Sequence, residues 1–226
     1  MTDTHDTVVL LHGIFKNPLG DMRLAENFFR KSGYNAHRIE YELSTGGIKD
    51  IAAYVWKEVR ALGGDRSAKL HFVAHSMGGV VTDSLIRQFD PKNLGRVVMW
   101  SSPLQGCEHA DALNDFMLTG PLYRYLGGQP GQDLQIRTLD PSRDQPITYD
   151  LGMLAGSVSI NPFGWYFLKN AGIHDGVVPV ARTKRDGIKA ENHRILPIPH
   201  PWFLISPGVH RLSRNFIQSG RFDGPA

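Results

Sequence analysis

Apolar positions along this chain fall into two alternating rhythms. Runs of consecutive apolar residues too short for a helix occur at TVVLLHG (7–13), KLHFVAH (69–75) and GRVVMWSSP (95–103). Such runs read as strands buried on both faces, and YNAHRIEY (34–41) reads as another strand. Between them lie segments with helical spacing. In DMRLAENFFRKSG (21–33), Asp21 is placed to start the helix and Gly33 to end it; IKDIAAYVWKEVRALGG (48–64) is amphipathic and closed by glycines. MGGVVTDSLIRQF (77–89) puts Val81, Leu85 and Phe89 on one face. Strands alternating with helices predict an α/β fold, a mostly parallel central sheet covered by helices on both faces.

The middle of the chain loses this regularity. EHADALNDFMLTGPLYRYLGG (108–128) contains helical turns, and PGQDLQIRTLDPSRDQP (130–146) reads as an irregular surface crossing. Strand signal returns at YDLGMLAGS (149–157) and HRILPIP (193–199), with residues 195–198 as the terminal strand, and a last helix runs through GVHRLSRNFIQSG (208–220). No Pro/Gly/Ser linker marks a second domain. Residues 1–226 are therefore expected to form a single domain, with 104–150 an insertion over the edge of the sheet that forms part of a pocket cover.

Composition narrows the function classes. The chain is 41% hydrophobic and 21% charged over 226 residues, enough for one sizeable core. Its formal charge of +3 comes from scattered basic residues, so nucleic acid is not an expected partner. Cys107 is the single cysteine, which rules out an intramolecular disulfide and a thiolate metal cluster. The polar start MTDTHDT and the brief VVLL run have the shape of neither a signal peptide nor a membrane span, and a cytoplasmic location is expected. No H-E-x-x-H or P-loop is present, and no cofactor is expected.

The chemistry concentrates at AHSMGG (74–79), which nearly spells G-x-S-x-G at a strand-to-helix junction. A tight turn there lifts the Ser76 hydroxyl above the carboxyl edge of the sheet, and Ala74 and Gly78 are small enough for the doubled-back chain. Gly79 gives further room for helix against sheet. The amide of Met77, at the helix N-terminus, is placed to meet a developing oxyanion. A second amide follows His12-Gly13: that of Ile14, with Phe15 the nearby alternative. His12 itself reads as a loop tether. A base is expected after the last strand, where His193 and His200 compete; only His200 lies past the strand's carboxyl end, on the edge that carries Ser76. The orienting acid is expected at Asp175 in AGIHDGVVPV (171–180), with Asp186 the fallback and Asp150 a weaker candidate. The order Ser76, Asp175, His200 is that of hydrolases built on this kind of sheet.

With these residues in place the sequence resembles the alpha/beta-hydrolase superfamily, in its lipase- and esterase-like members. The matching pieces are VVLLHGIF, VAHSMGG, SSPLQGCEHAD, DGVVPV and the region around His200, together spanning nearly the whole chain. SSPLQGCEHAD resembles the T-P-x-x-G-S-x-x-A-D stretch of many lipase-like members, with Gly106, Ala110 and Asp111 matching. The later half, including MLAGSVSINPFGWYFL, PIPHPWFLISPGV and FIQSGRF, is similar to a smaller group of compact bacterial hydrolases. That resemblance implies His200 as base and Asp175 as acid. Two positions depart from the pattern: Ala74 stands where the elbow usually begins with glycine, and His174 where the group has asparagine before the acid.

The resemblance and the residues together imply a serine hydrolase cleaving carboxylic esters through an acyl-enzyme. Acyl transfer to an alcohol uses the same ingredients, and a non-catalytic lipid- or protein-binding member of the fold is the alternative of a different class. Candidate pocket walls are Phe15, Leu104, Leu113, Phe163, Trp165, Phe167, Trp202 and Phe203, suited to a small or lipid-like ester, with Phe167 and Phe203 better read as core. NPFGWYFLKN (161–170) reads equally as a rim for peripheral membrane contact. Oligomeric state is not legible.

Overall fold

The computed structural model describes residues 5–14, 22–106, 133–134, 145–160 and 168–224. Its strands are β1 (Thr7–Leu11), β2 (Asn35–Ile39), β3 (Leu70–His75), β4 (Leu94–Trp100), β5 (Leu151–Gly156) and β6 (His193–Leu196). The helices are α1 (Arg23–Lys31), α2 (Ile48–Ala61), α3 (Met77–Phe89) and α4 (Pro207–Ser219). All strand pairs are parallel, in the order β2-β1-β3-β4-β5-β6. The chain winds outward from β1 to β2 and then crosses back to β3 on the other side of β1. The carboxyl ends of β1 and β3 therefore flank the point where winding reverses, which is where open α/β sheets bind ligands.

The strands lack polar alternation because both of their faces are covered. Along β1, Val8 and Leu10 pack with α1 and α4 residues such as Phe29 and Phe216; Val9 and Leu11 pack with α2 and α3 residues such as Val55 and Val81. β4 divides in the same way, Val98 and Trp100 to one face and Val97 and Met99 to the other. This is the two-residue period of a strand with apolar residues in both phases. Leu134 and Ile147, from within 104–150, join the α2/α3 side of the core, and Asp133 Oδ2 accepts the amide of Ile48 at 2.8 Å, capping α2. Most of 104–150 otherwise lies outside the described residues, as do Asp21 and Cys107.

The terminal strand sits two residues earlier than 195–198, at His193–Leu196. Pro197 and Pro199 have no amide to offer a ladder, so pairing stops before them. His200 then opens a short 3-10 turn, His200–Leu204. Among the described residues no helix is long and apolar enough to cross a membrane.

Candidate active site

Ser76 immediately follows β3 and precedes α3, with φ 53° and ψ −125°. Positive φ is costly for a residue with a Cβ and persists only where surroundings hold it. Here the Ser76 amide donates to Trp100 O at 2.8 Å, fixing the elbow to the end of β4. Gly78 allows the reversal. A Cβ at Gly78 would stand 2.6 Å from His12 O and 2.7 Å from Leu11 O, so the first turn of α3 lies directly against the end of β1. A Cβ at Gly79 would meet Ser102 Oγ at 2.1 Å.

The loop after β1 crosses over the serine. A Cβ built on Gly13 would be 3.1 Å from Ser76 Cβ and 3.6 Å from its Oγ, so a side chain at position 13 would crowd the hydroxyl. His12 holds this loop, as its position suggested. Its ring stacks on Tyr41 at 4.2 Å, its Nδ1 lies 2.7 Å from Gly13 O, and the Tyr41 hydroxyl donates to His12 O. A carbonyl only accepts, so His12 Nδ1 carries the proton. Burial pushes the Tyr41 phenol far up, keeping it a donor. Ile14 follows in the same loop; Phe15 lies outside the described residues. Met77 is the first residue of α3, so its amide has no partner within the helix.

Asp175 and His200 come together at the same edge. Asp175 is 1% exposed and its carboxylate receives four hydrogen bonds. Oδ1 accepts the amides of Val177 (3.0 Å) and Val178 (2.7 Å), through the turn that Gly176 makes at φ 96°. Oδ2 accepts His200 Nδ1 at 2.6 Å and Ser101 Oγ at 2.5 Å. Burial acts to raise the Asp175 pKa; the charge and hydrogen bond of His200, with the Ser101 and Val178 donors, outweigh it, and the carboxyl is held below its ordinary value. An ionised Oδ2 only accepts, so His200 carries its proton on Nδ1 and, when neutral, leaves the lone pair on Nε2. The His200 amide donates to Asp175 O at 3.1 Å, a second tie between the two. Among the described residues no hydrogen bond joins Ser76 to His200; such contacts are often long before substrate binds.

The rival candidates stand elsewhere. His193 begins β6, near the opposite edge, and bonds Thr183 Oγ1 at 2.8 Å. Burial and Lys184 lower its pKa. Asp150 precedes β5 at that far edge, 3.7 Å from Arg96 Nε, and Asp186 is exposed. A cavity of about 520 Å³ at the far edge is lined by Arg96, Asp150, Glu191, Arg194 and Asp223 among others, a charged wall unsuited to an acyl chain. Of the expected pocket walls, Phe203 is core, packed with Val73 and Leu154, and Leu104 is buried on the α2/α3 side. Trp202 is 51% exposed. Phe15, Leu113, Phe163, Trp165 and Phe167 lie outside the described residues.

Two contributors were missed in the sequence. Ser101 reads as the end of a strand and the start of SSPLQGCEHAD, with no role of its own, and its φ of 45°, which turns the chain back at the end of β4, is invisible in composition. His75 reads as the last residue of a strand and a neighbour of Ser76 in AHSMGG, without a role of its own. Its ring lies 4.5 Å from that of His200, and its Nε2 is 3.1 Å from His200 O. No local signal marks either, because their partners are 74 and 125 residues away.

A parallel sheet covered on both faces, with a serine elbow after a central strand, is the alpha/beta-hydrolase fold. A family model described as "Putative serine esterase (DUF676)" matches residues 1–109, which carry the elbow and the loop after β1. Among solved structures the chain is similar to a lipase from Bacillus licheniformis in its mature form (TM-score 0.66, 20% identity, covering 90% of this chain and 88% of that one). It is also similar to a metagenomic carboxyl esterase (TM-score 0.63, 16% identity, covering 87% and 65%). A carboxylesterase from Bacillus subtilis aligns with TM-score 0.56 and 15% identity, covering 97% and 85%. No curated protein matches the chain.

Proposed function

We propose that this protein hydrolyses carboxylic esters with Ser76 as nucleophile, His200 as general base and acid, and Asp175 as the orienting carboxylate. The observation that carries the reading is the convergence, on one edge of the sheet, of a serine in an elbow of positive φ with a buried Asp175–His200 pair at 2.6 Å. Ser76 Oγ attacks the ester carbonyl carbon while His200 Nε2 takes its proton. The carbonyl oxygen becomes an oxyanion facing the amides of Met77 and Ile14. The alkoxy C–O bond then breaks and the alcohol leaves with the proton from His200. Water, deprotonated by the same nitrogen, splits the acyl-enzyme into free acid and Ser76.

The family match and the lipases and esterases of like fold support ester chemistry. The surface beside the site favours an apolar acyl group: Ile173 stands two residues before Asp175, and Trp202 and Ile205 follow His200, all exposed. Such a rim also suits peripheral contact with lipid. A fluorophosphonate probe followed by a panel of p-nitrophenyl esters tests the reading. Wild type should label at Ser76 and release p-nitrophenol, and Ser76→Ala should do neither while keeping its melting temperature. Labelling of the Ser76→Ala protein at one other specific site would refute the assignment.

A further inference from the structure

His200 is the first residue of a short 3-10 turn and stands between Pro199 and Pro201, neither of which has an amide to hold the chain there. Something else must fix its backbone. On its amide side it is tied to Asp175 O. On its carbonyl side the partner is a side chain from the nucleophile's own strand: His75 Nε2, buried, 3.1 Å from His200 O. A carbonyl has no proton to give, so His75 donates from Nε2 and, while neutral, its Nδ1 is bare. That bare edge faces the loop after β1, since a Cβ on Gly13 would lie 3.4 Å from His75 Nδ1. The ring itself stacks, tilted by 44°, against the ring of His200 and lies 6.3 Å from that of Phe203.

We infer that His75 is a positioning residue for the reaction: its Nε2–H anchors the main chain of His200, so the residue next to the nucleophile sets where the base stands. The inference rests on the reading of His200 as base. His75 is joined by one peptide bond to Ser76, which is in turn pinned to β4. A hydrogen bond from its ring to His200 therefore converts the rigid β3–α3 elbow into a reference point for a residue 125 positions away. Rigid supports of this kind matter because misplacement by about 1 Å costs about 100-fold in rate. Burial first, then the neighbouring His200, push the His75 pKa well below the ordinary histidine value. It is therefore a neutral donor and adds no second positive charge beside the imidazolium that forms on His200 during turnover.

The test compares His75→Phe, which keeps an aromatic ring without the donor, with His75→Gln, which keeps an N–H near the position of Nε2. His75→Phe should lose about 10- to 100-fold in kcat with KM within about threefold, and His75→Gln should recover most of that loss. Wild-type kcat in a folded His75→Phe protein would overturn the inference. So would an equal loss in both variants when both melt like wild type, since the donor would then be irrelevant. If His75→Phe fails to fold, His75→Met supplies the donor-free arm, with the same two outcomes. Ser76→Ala and His200→Ala run alongside. Should either retain turnover, the site assignment itself fails; should both be dead while His75→Phe is fully active, only the role of His75 fails.

Discussion

Ser101 Oγ donates to the same carboxylate oxygen of Asp175 that His200 Nδ1 uses, at 2.5 Å and 2.6 Å respectively. The other oxygen is filled by two backbone amides. The carboxylate thus has every side occupied and cannot rotate away from the imidazole. Ser101 holds its place through a positive φ at the end of β4, as Ser76 does at the end of β3. Two adjacent strands are each followed by a serine of positive φ: Ser76, the proposed nucleophile, and Ser101, whose hydroxyl binds Asp175.

Ser101→Ala removes one of those donors and leaves the His200 contact. A net hydrogen bond to a charged group is worth about 1.5–3 kcal/mol, part of which the remaining donors take up. The expected result is a fall of about 3- to 30-fold in kcat with KM little changed. Steady-state kinetics on a p-nitrophenyl ester decide it; unchanged kcat would make the Ser101 contact incidental.

Asp175→Asn keeps the shape and loses the charge. An amide cannot accept from His200 and from Ser101 as the carboxylate does, and the imidazole loses the partner that fixes its tautomer. Loss of kcat should be about 100-fold or more, and Asp186→Asn, at an exposed loop position, should stay near wild type. The reverse pattern in the two variants would transfer the acid to Asp186.

His200→Ala should remove nearly all turnover, and His193→Ala should not. His193 bonds Thr183 at the start of β6, away from Ser76, so its loss costs stability before catalysis. Melting curves and kcat for both variants separate these effects. An inactive His193→Ala beside an active His200→Ala would reverse the assignment.

Acid should destabilise the fold before the carboxylates titrate. His210 is buried on the α1/α4 side, stacked on Trp100, with its Nε2 3.2 Å from Leu204 O. Burial pulls its pKa down to about 4, only partly offset by that bond. Between pH 6.5 and 4 the unfolded chain binds a proton at this residue and the folded one does not, so stability falls as pH falls. The full penalty is about 3 kcal/mol, reached near pH 4 and absent above the unfolded pKa. His37, His71, His75 and His193 are lowered in the same direction. Urea midpoints from pH 7.5 to 4.5 should decline in wild type and decline less steeply in His210→Gln; parallel curves would count against it.

Sequence alone determined the layered α/β plan, because runs such as VVLL and VVMW are apolar in both phases and can be buried only between two layers of helices. It also marked Ser76, since an elbow needs small residues at fixed offsets and those offsets are local; the clash a Cβ at Gly78 would make with β1 is the same constraint in space. Asp175 and His200 were legible as candidates through chain order and strand ends, again short-range features. Tertiary structure alone decided what surrounds them. The end of β6 was placed two residues late because proline's missing amide acts only once a neighbouring strand asks for it. Ser101 and His75 carried no mark, because a hydrogen bond across 74 or 125 residues leaves no period or spacing in the chain. Only assembly of the sheet puts β3, β4 and the loops after β5 and β6 at one edge, and there a serine and a histidine that read as strand ends bond Asp175 and His200.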